Sequence, residues 1–376
     1  MALLAIFSSF YVSMAVAQMV PLGGCLQGEV SLKESVKLAP TCKSVASVTI
    51  STSGVTLDCQ GSTIDVGGKW LFGVLIDSHG QAMRDVTIKN CHIINARNDG
   101  IRVGWSAPGG EKAEKFSHEE IYAKTPQRVH IIDVTVVDSG RTGLYVDDYV
   151  QDLEAKDIEI SGSGDVGIYL EYSSRRTMID SSKIFNNGFK YSREGIAVDS
   201  SADNRISHSA IFHNASGGIF IYRNCSEFLA SDPVKEAKRW QSADRNVIES
   251  NEIYDGSFGI MVASRQSADL SKSMCGNGYY ALGKYTLDSA KHNKISGNHV
   301  ADVDYGVFVE DDFNEVVNNR FERVRKRAIQ VGSSPMFEYL HKSVTGVRVS
   351  GNDFKDGSAE IRFIGGAENA SASPAK

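Results

Sequence analysis

The chain is short of the features that mark several common classes. Proline is scarce, 7 in 376 residues, so neither a proline-rich spacer nor a collagen-like rod is being written. There is no C-x-x-C pair, and none of the 9 histidines sits in H-E-x-x-H or comparable spacing, which removes the usual zinc signatures. Positive charge is not in excess: 40 Lys and Arg face 46 Asp and Glu, a formal net charge of -6. That balance argues against nucleic acid as the main partner, because phosphate binding needs clustered Lys and Arg. After the first 17 residues no stretch approaches the roughly 20 apolar residues that a bilayer span requires. What remains is 41% hydrophobic and 23% charged, the composition of a folded globular or solenoidal protein.

The one apolar run, "MALLAIFSSFYVSMAVA" at 1–17, ends in Ala15-Val16-Ala17, the small-x-small form of a signal-peptidase site. No Lys or Arg precedes it. It reads as a signal peptide and predicts a secreted or periplasmic protein, with a buried first strand or a membrane anchor as the alternatives. The 6 cysteines suit an oxidising compartment. Cys25 with Cys42, Cys59 with Cys91 and Cys225 with Cys275 are the favoured pairs, although sequence leaves about fifteen connectivities open and free buried thiols as an alternative.

Glycine is plentiful, and it recurs in one phrase: "GIRVGWS" at 100, "GLYVDDY" at 143, "GIYLEYS" at 167, "GIAVDSS" at 195, "GIFIYRN" at 218, "GIMVASR" at 259, "GVFVEDD" at 306 and "AIQVGSS" at 328. Between the copies runs a second phrase, as in "VIESNEI", "KISGNHV", "EVVNNRF" and "RVSGNDF". Both alternate with period two between Gly, Asn and Ser turns, so each unit is two or three short strands. The closest copies are 22 to 24 residues apart. A unit that short cannot bury its own apolar residues, so successive units must stack and share a core. Asn251, Asn298, Asn319 and Asn352 suit sharp left-handed turns and stacked amide ladders.

These Gly-Ile-x-aliphatic and Asn-x-aliphatic phrases resemble the right-handed parallel β-helix repeat of the pectin-lyase-like superfamily, over roughly residues 45 to 363. The resemblance implies an all-β, single-stranded right-handed parallel β-helix of about ten coils. It also implies a polysaccharide lyase, hydrolase or uronate epimerase, or else a binding, adhesive or accessory protein. No particular catalytic signature is matched; the Asp-Pro-His-Asp motif of alginate epimerases is absent. The expected organisation is a signal peptide over 1–17, an N-terminal cap over 18–45, the β-helix over 46–363 and a disordered tail over 364–376.

Function in a solenoid sits where the units lengthen. Extra residues follow the Gly-Ile strand at 106–127, 225–243, 266–289 and 333–343, all on one edge, whereas the units at 143, 167 and 195 connect shortly. This predicts a trough three or four coils wide between insert walls, about 14 Å along the axis at the usual strand spacing. "EKAEKFSHEEIYA" is helix-compatible, and "SDPVKEAKRW" reads as a short helix capped by Asp232.

The residues just past each strand then stack coil on coil, placing Asp147, Glu171 and Asp199 in one column, with Tyr222 next and Asp148, Tyr172 and Arg223 in the column beside it. Adjacent carboxylates in a parallel stack repel one another. Protonation, calcium or a catalytic task would account for them. Paired carboxylates fit glycoside hydrolysis. For uronate elimination or epimerisation, Arg223, supported by Arg175 or Arg265, would neutralise the substrate carboxylate. Tyr172 and Tyr222 would move protons if their pKa values were depressed. Calcium held by Asp147, Asp148, Glu171 or Asp199 would serve as the guanidinium does. Trp105 and Trp240 stand on the walls and would stack on sugar faces or pack the loops. Residues 170–245 hold eleven Lys and Arg against nine Asp and Glu, a lean towards an anionic glycan in an acidic protein. His208 and His213 read as turn or surface residues. The partner expected is therefore an acidic polysaccharide or oligosaccharide.

Overall fold

The computed structural model describes residues 24–106, 116–224, 240–265, 289–356 and 361–370. Every strand pairs in parallel with the equivalent strand of the next coil, and the stack is a right-handed β-helix with three faces. The front face carries the Gly-Ile strands, such as Asp99–Gly104, Leu144–Val146, Ile168–Leu170, Glu194–Asp199 and Gly217–Tyr222. Their register places Leu144, Ile168, Ile196 and Ile219 in one inward column and Val146, Leu170, Val198 and Ile221 in another. All eight are buried. The second and third faces stack isoleucines in the same manner, Ile179 on Ile206 on Ile248 and Ile184 on Ile211 on Ile253.

The repeated glycine is required by close approach. A Cβ on Gly167 would lie 2.7 Å from the carbonyl oxygen of Gly195 in the next coil and 2.7 Å from Ile184 Cγ2 of the opposite face. On Gly259 it would lie 2.6 Å from Gly306 O and 2.8 Å from Val300 Cγ1. Each glycine thus lets one coil settle on the next while the following isoleucine fills the interior.

The corner between the second and third faces is turned by a residue in the left-handed region: Asp133, Asp157, Ser181, His208, Ser250, Gly297, Asn318 and Gly351. The asparagines predicted to occupy that conformation come one position later instead, Asn251, Asn298 and Asn319 buried and Asn352 half-buried. Asn251 Nδ2 donates to Asn298 Oδ1 at 3.0 Å, Asn298 to Asn319 at 3.0 Å and Asn319 to Asn352 at 3.1 Å. A second amide ladder runs from Asn204 through Asn246 and Asn293 to Asn314. Each amide also accepts a backbone N–H, so the interior polar groups at the corners are satisfied.

Two boundaries differ from the sequence reading. Within the segment expected to be a cap, Gln27–Leu32 pairs with Lys43–Ile50, and Val36–Lys37 with Thr56–Asp65, as coils of the same helix. At the other end, residues 364–370 are packed: Ala367 is buried, and Asn369 accepts from Val349 N at 2.8 Å and donates to Val349 O at 3.0 Å, adding a further rung. Disulfides join Cys25 to Cys42 and Cys59 to Cys91. Cys225 and Cys275, the helix expected over 231–240 and the apolar run at 1–17 lie outside the described residues, apart from Trp240. No helix of the described residues is long and apolar enough to cross a membrane.

Gly167→Ala is expected to destabilise the fold by about 1–3 kcal/mol through overpacking. Gly256→Ala, whose Cβ would meet nothing nearer than 3.6 Å, should be close to neutral. Denaturant unfolding of the two variants compares them directly, and equal stabilities would contradict the close-approach explanation.

Candidate functional site

Alternation along the front strands turns two positions per coil away from the core. One is the residue after the strand's last aliphatic, where Asp147, Glu171, Asp199 and Tyr222 do fall in register. The other is the variable residue inside Gly-Ile-x-aliphatic, which places Arg102, Tyr145 and Tyr169 in an adjacent column. The sequence reading passed over this second column. Its signal was the period-two pattern itself, which points x outward as surely as the residue two places on.

The second column resolves the repulsion within the first. Arg102 Nη2 and Nε donate to Asp147 Oδ2 at 2.7 and 3.0 Å. One coil on, Tyr145 OH donates to Glu171. In the next step Tyr169 OH donates to Asp199 Oδ2 at 2.8 Å. Each carboxylate is therefore held by a donor from the preceding coil. Asp199 also accepts from Ser200 Oγ at 3.0 Å and Asn224 N at 2.9 Å. The donors pack on one another as well, Arg102 lying 4.4 Å over the Tyr145 ring and Tyr145 stacking on Tyr169 at 5.2 Å.

Beyond Asp199 the pattern changes, because Ala197 brings no donor. Tyr222 instead lies beneath Arg265, whose guanidinium stands 4.7 Å from the ring centre, and its hydroxyl accepts from Arg193 Nη2 at 3.1 Å. Arg193 forks onto the buried Glu194 with two bonds of 3.1 Å and reaches Asp165 at 3.4 Å. Arg193 and Glu194 precede the Gly-Ile phrase and were not foreseen.

Burial and charge set the protonation of these groups. Burial pushes the Tyr222, Tyr145 and Tyr169 phenols well above their ordinary value, and neighbouring carboxylates add to the shift. The condition under which Tyr222 would act as a base, a depressed pKa, is therefore not met, and burial favours the protonated phenol in all three. Asp99, buried under Arg102, is raised to about 6, since desolvation outweighs the guanidinium 3.3 Å away. Asp199 and Tyr222 are completely covered, whereas Arg102, Tyr145, Glu171, Tyr169 and Arg193 are half-buried.

The trough expected between the insert walls falls mostly on residues outside the described ones, since of 106–127, 225–243 and 266–289 only 106, 116–127, 240–243 and 289 are described. A helix, His118–Lys124, starts at a capping box between Ser117 and Glu120 and lies over the turns that follow the front strands. Tyr122 OH donates to Ser173 O at 2.7 Å, and Gln241 Nε2 donates to Ser174 O at 2.8 Å. His118 stacks on Trp240 at 4.9 Å, so parts of two inserts meet as one wall along one flank of the floor. Trp105 packs against the Ile121, Tyr122 and Tyr149 cluster. Arg175 lies 3.6 Å over Tyr122 and donates to Gln151, and Asp148 and Tyr172 are buried at this flank. These residues belong to the wall. Arg223, half-buried, follows Tyr222 where the strand runs out. No group of three or more His, Cys, Asp or Glu side chains among the described residues converges as a metal cage. His208 and His213 occupy left-handed corners on other faces and pair with Asp180 and Asp255, each at 2.8 Å.

The family described as "Right handed beta helix region" matches residues 72–234 and 235–372. No curated protein sequence matches the chain. Among solved structures, the periplasmic alginate epimerase AlgG is similar with a TM-score of 0.54 at 13% identity, covering 89% of this chain and 73% of that one. The Dettilon tailspike protein is similar with a TM-score of 0.51 at 13% identity, covering 90% and 57%. The A-module of the Azotobacter vinelandii mannuronan C-5 epimerase AlgE4 is similar with a TM-score of 0.44 at 14% identity, covering 93% and 91%.

Tyr169→Phe should cost about 1–3 kcal/mol by leaving the buried Asp199 short of a donor. Adding Asp199→Asn should cost less than the sum of the single changes, and strict additivity in that double-mutant cycle would sink the donor-ladder account. Asp99 has a folded pKa near 6 against an ordinary 3.8, so the folded state binds its proton more tightly. Stability therefore falls as pH rises from about 4 through about 6, and Asp99→Asn should flatten the melting temperature across that window.

Proposed function

The chain belongs to the right-handed β-helix family, and on that scaffold we propose an exported carbohydrate-active enzyme that cleaves or epimerises a uronate-containing polysaccharide laid along the front face. The observation that carries this reading is the single outward row of guanidinium, phenol and carboxylate groups from Arg102 to Arg193. Hydrolysis needs two carboxyl groups and no cation. Removal of the proton beside a uronate carboxylate needs a cation to take up the developing charge, a base and an acid. All three are present.

In this reading Arg102 neutralises the carboxylate of the reacting sugar, Arg193 at the other end of the row holds that of a neighbouring one, and Glu171, half-buried in the row, takes the C5 proton. The electron pair left on C5 then either forms the C4–C5 double bond as the C4–O bond breaks, or recaptures a proton on the opposite face. The phenol of Tyr145 or Tyr169 supplies that proton to the leaving oxygen or to C5, which suits groups held protonated by burial. Asp199 and Tyr222, being covered, position Tyr169 and Arg193 rather than touch substrate. Calcium beside Asp147 or Glu171 would reinforce the neutralisation, and a chelator tests for it. The disulfides Cys25–Cys42 and Cys59–Cys91 support a secreted or periplasmic location.

Incubation with a panel of polyuronates in heavy water separates the outcomes. Ultraviolet absorbance from unsaturated ends marks elimination, and deuterium at C5 in intact polymer marks epimerisation. Reducing ends alone would mark a hydrolase, and binding without any product an accessory protein; either would overturn this reading. Glu171→Gln is expected to lower turnover at least about a hundredfold, within the range for loss of a general base, without loss of the folded state.

A further inference from the structure

A second groove runs beside the front face, on the edge opposite the insert wall. It holds about 420 Å³ and is lined by the turns that lead into successive front strands, from Gly68 through Ala96, Gly140 and Gly164 to Lys190. These turns stack by backbone bonds, Gly140 N to Ala96 O at 2.9 Å and Gly164 N to Ser139 O at 2.9 Å. Small side chains keep the groove floor smooth across five coils, about 19 Å at the usual strand spacing.

Its charge is not that of the protein as a whole. Arg97 and Lys190 line it, Lys69 and Arg141 flank it, and all four are exposed. Among the described residues Arg97, Lys69 and Lys190 have no carboxylate partner. Lys69 and Lys190 rest over the rings of Trp70 and Tyr191, and Arg141 shares Asp165 with Arg193. Asp138 is the one acid in the lining. Several guanidinium groups elsewhere on the surface are paired across coils, as Arg128 is to Asp85, Arg245 to Asp203 and Arg323 to Asp302. Among the described residues, other cations without a carboxylate partner, such as Lys33, Lys43, Arg84, Lys156 and Lys294, are scattered over the surface, whereas Lys69, Arg97 and Lys190 fall along one groove.

We propose that this groove is a second binding tract for an acidic polysaccharide, holding a strand parallel to the helix axis outside the reactive row. It rests on the reading of the front face only for the choice of polymer. The coil rise is close to the length of one sugar residue, so a chain with a carboxylate on every ring meets a cation at recurring coils. Short neutral sugars and compact anions cannot use that periodicity. The tract keeps a polymer on the enzyme while another segment or strand occupies the front face.

The test is calorimetric binding of polygalacturonate and polymannuronate octasaccharides to the full chain, in both the native and the Glu171→Gln background, beside the disaccharides, carboxyl-reduced octasaccharides and inorganic polyphosphate. The variant is Arg97→Gln with Lys190→Gln, two exposed positions whose melting temperature should not move. The expected result is octasaccharide affinity about five- to tenfold weaker with a smaller salt dependence, with disaccharide binding unchanged. Asp138→Asn should tighten the octasaccharide. Equal affinity in the double variant, no octasaccharide binding at all, or polyphosphate binding as tightly and losing as much would each overturn the tract. If octasaccharide binding responds to Arg97 and Lys190 but no product ever forms, the front-face chemistry fails and the tract stands. If product forms and binding ignores those residues, the tract fails alone.

Discussion

A parallel stack repeats at every coil whatever side chain it places at a given position, and outward carboxylates at Asp147, Glu171 and Asp199 would by themselves repel along the axis. The diagonal donors Arg102, Tyr145 and Tyr169 turn that repetition into a ladder, each reaching from one coil to the acid on the next. The front face depends on this interaction. It adds to the burial that keeps the tyrosines protonated, gives each carboxylate a donor from the preceding coil, and aligns cation, phenol and carboxylate in one row.

The scaffold beneath uses the same device with uncharged groups. Asparagine side chains at two corners donate from coil to coil, and glycine at the start of each front strand lets neighbouring backbones close to contact. Regular spacing in the core is what makes regular spacing outside available for binding. A row of groups about 4.8 Å apart matches a polymer of sugar rings better than a compact ligand, on the front face and in the glycine-lined groove alike.

The coil-to-coil hydrogen bonds also divide labour among residues that look alike in the chain. Asp199 is fully covered and accepts three donors, so it shapes the site. Glu171, in the same column, is half-buried and remains accessible to a substrate. Likewise Arg193 is locked onto Glu194 at the floor, while Lys190, three residues earlier, faces the second groove.

The repeat phrases alone determined the fold, because glycine close approach, inward aliphatics and corner asparagines are local requirements that recur every coil and leave a periodic trace. They also determined that Asp147, Glu171 and Asp199 share a column, since register follows from equal spacing. Only the folded chain decided which of them is covered, that x-position donors pair with them diagonally, that Trp105, Arg175 and Tyr172 belong to a wall, and that two inserts meet through His118 and Trp240. Those facts rest on contacts between residues tens of positions apart and on how far each side chain reaches, and distance along a sequence carries neither.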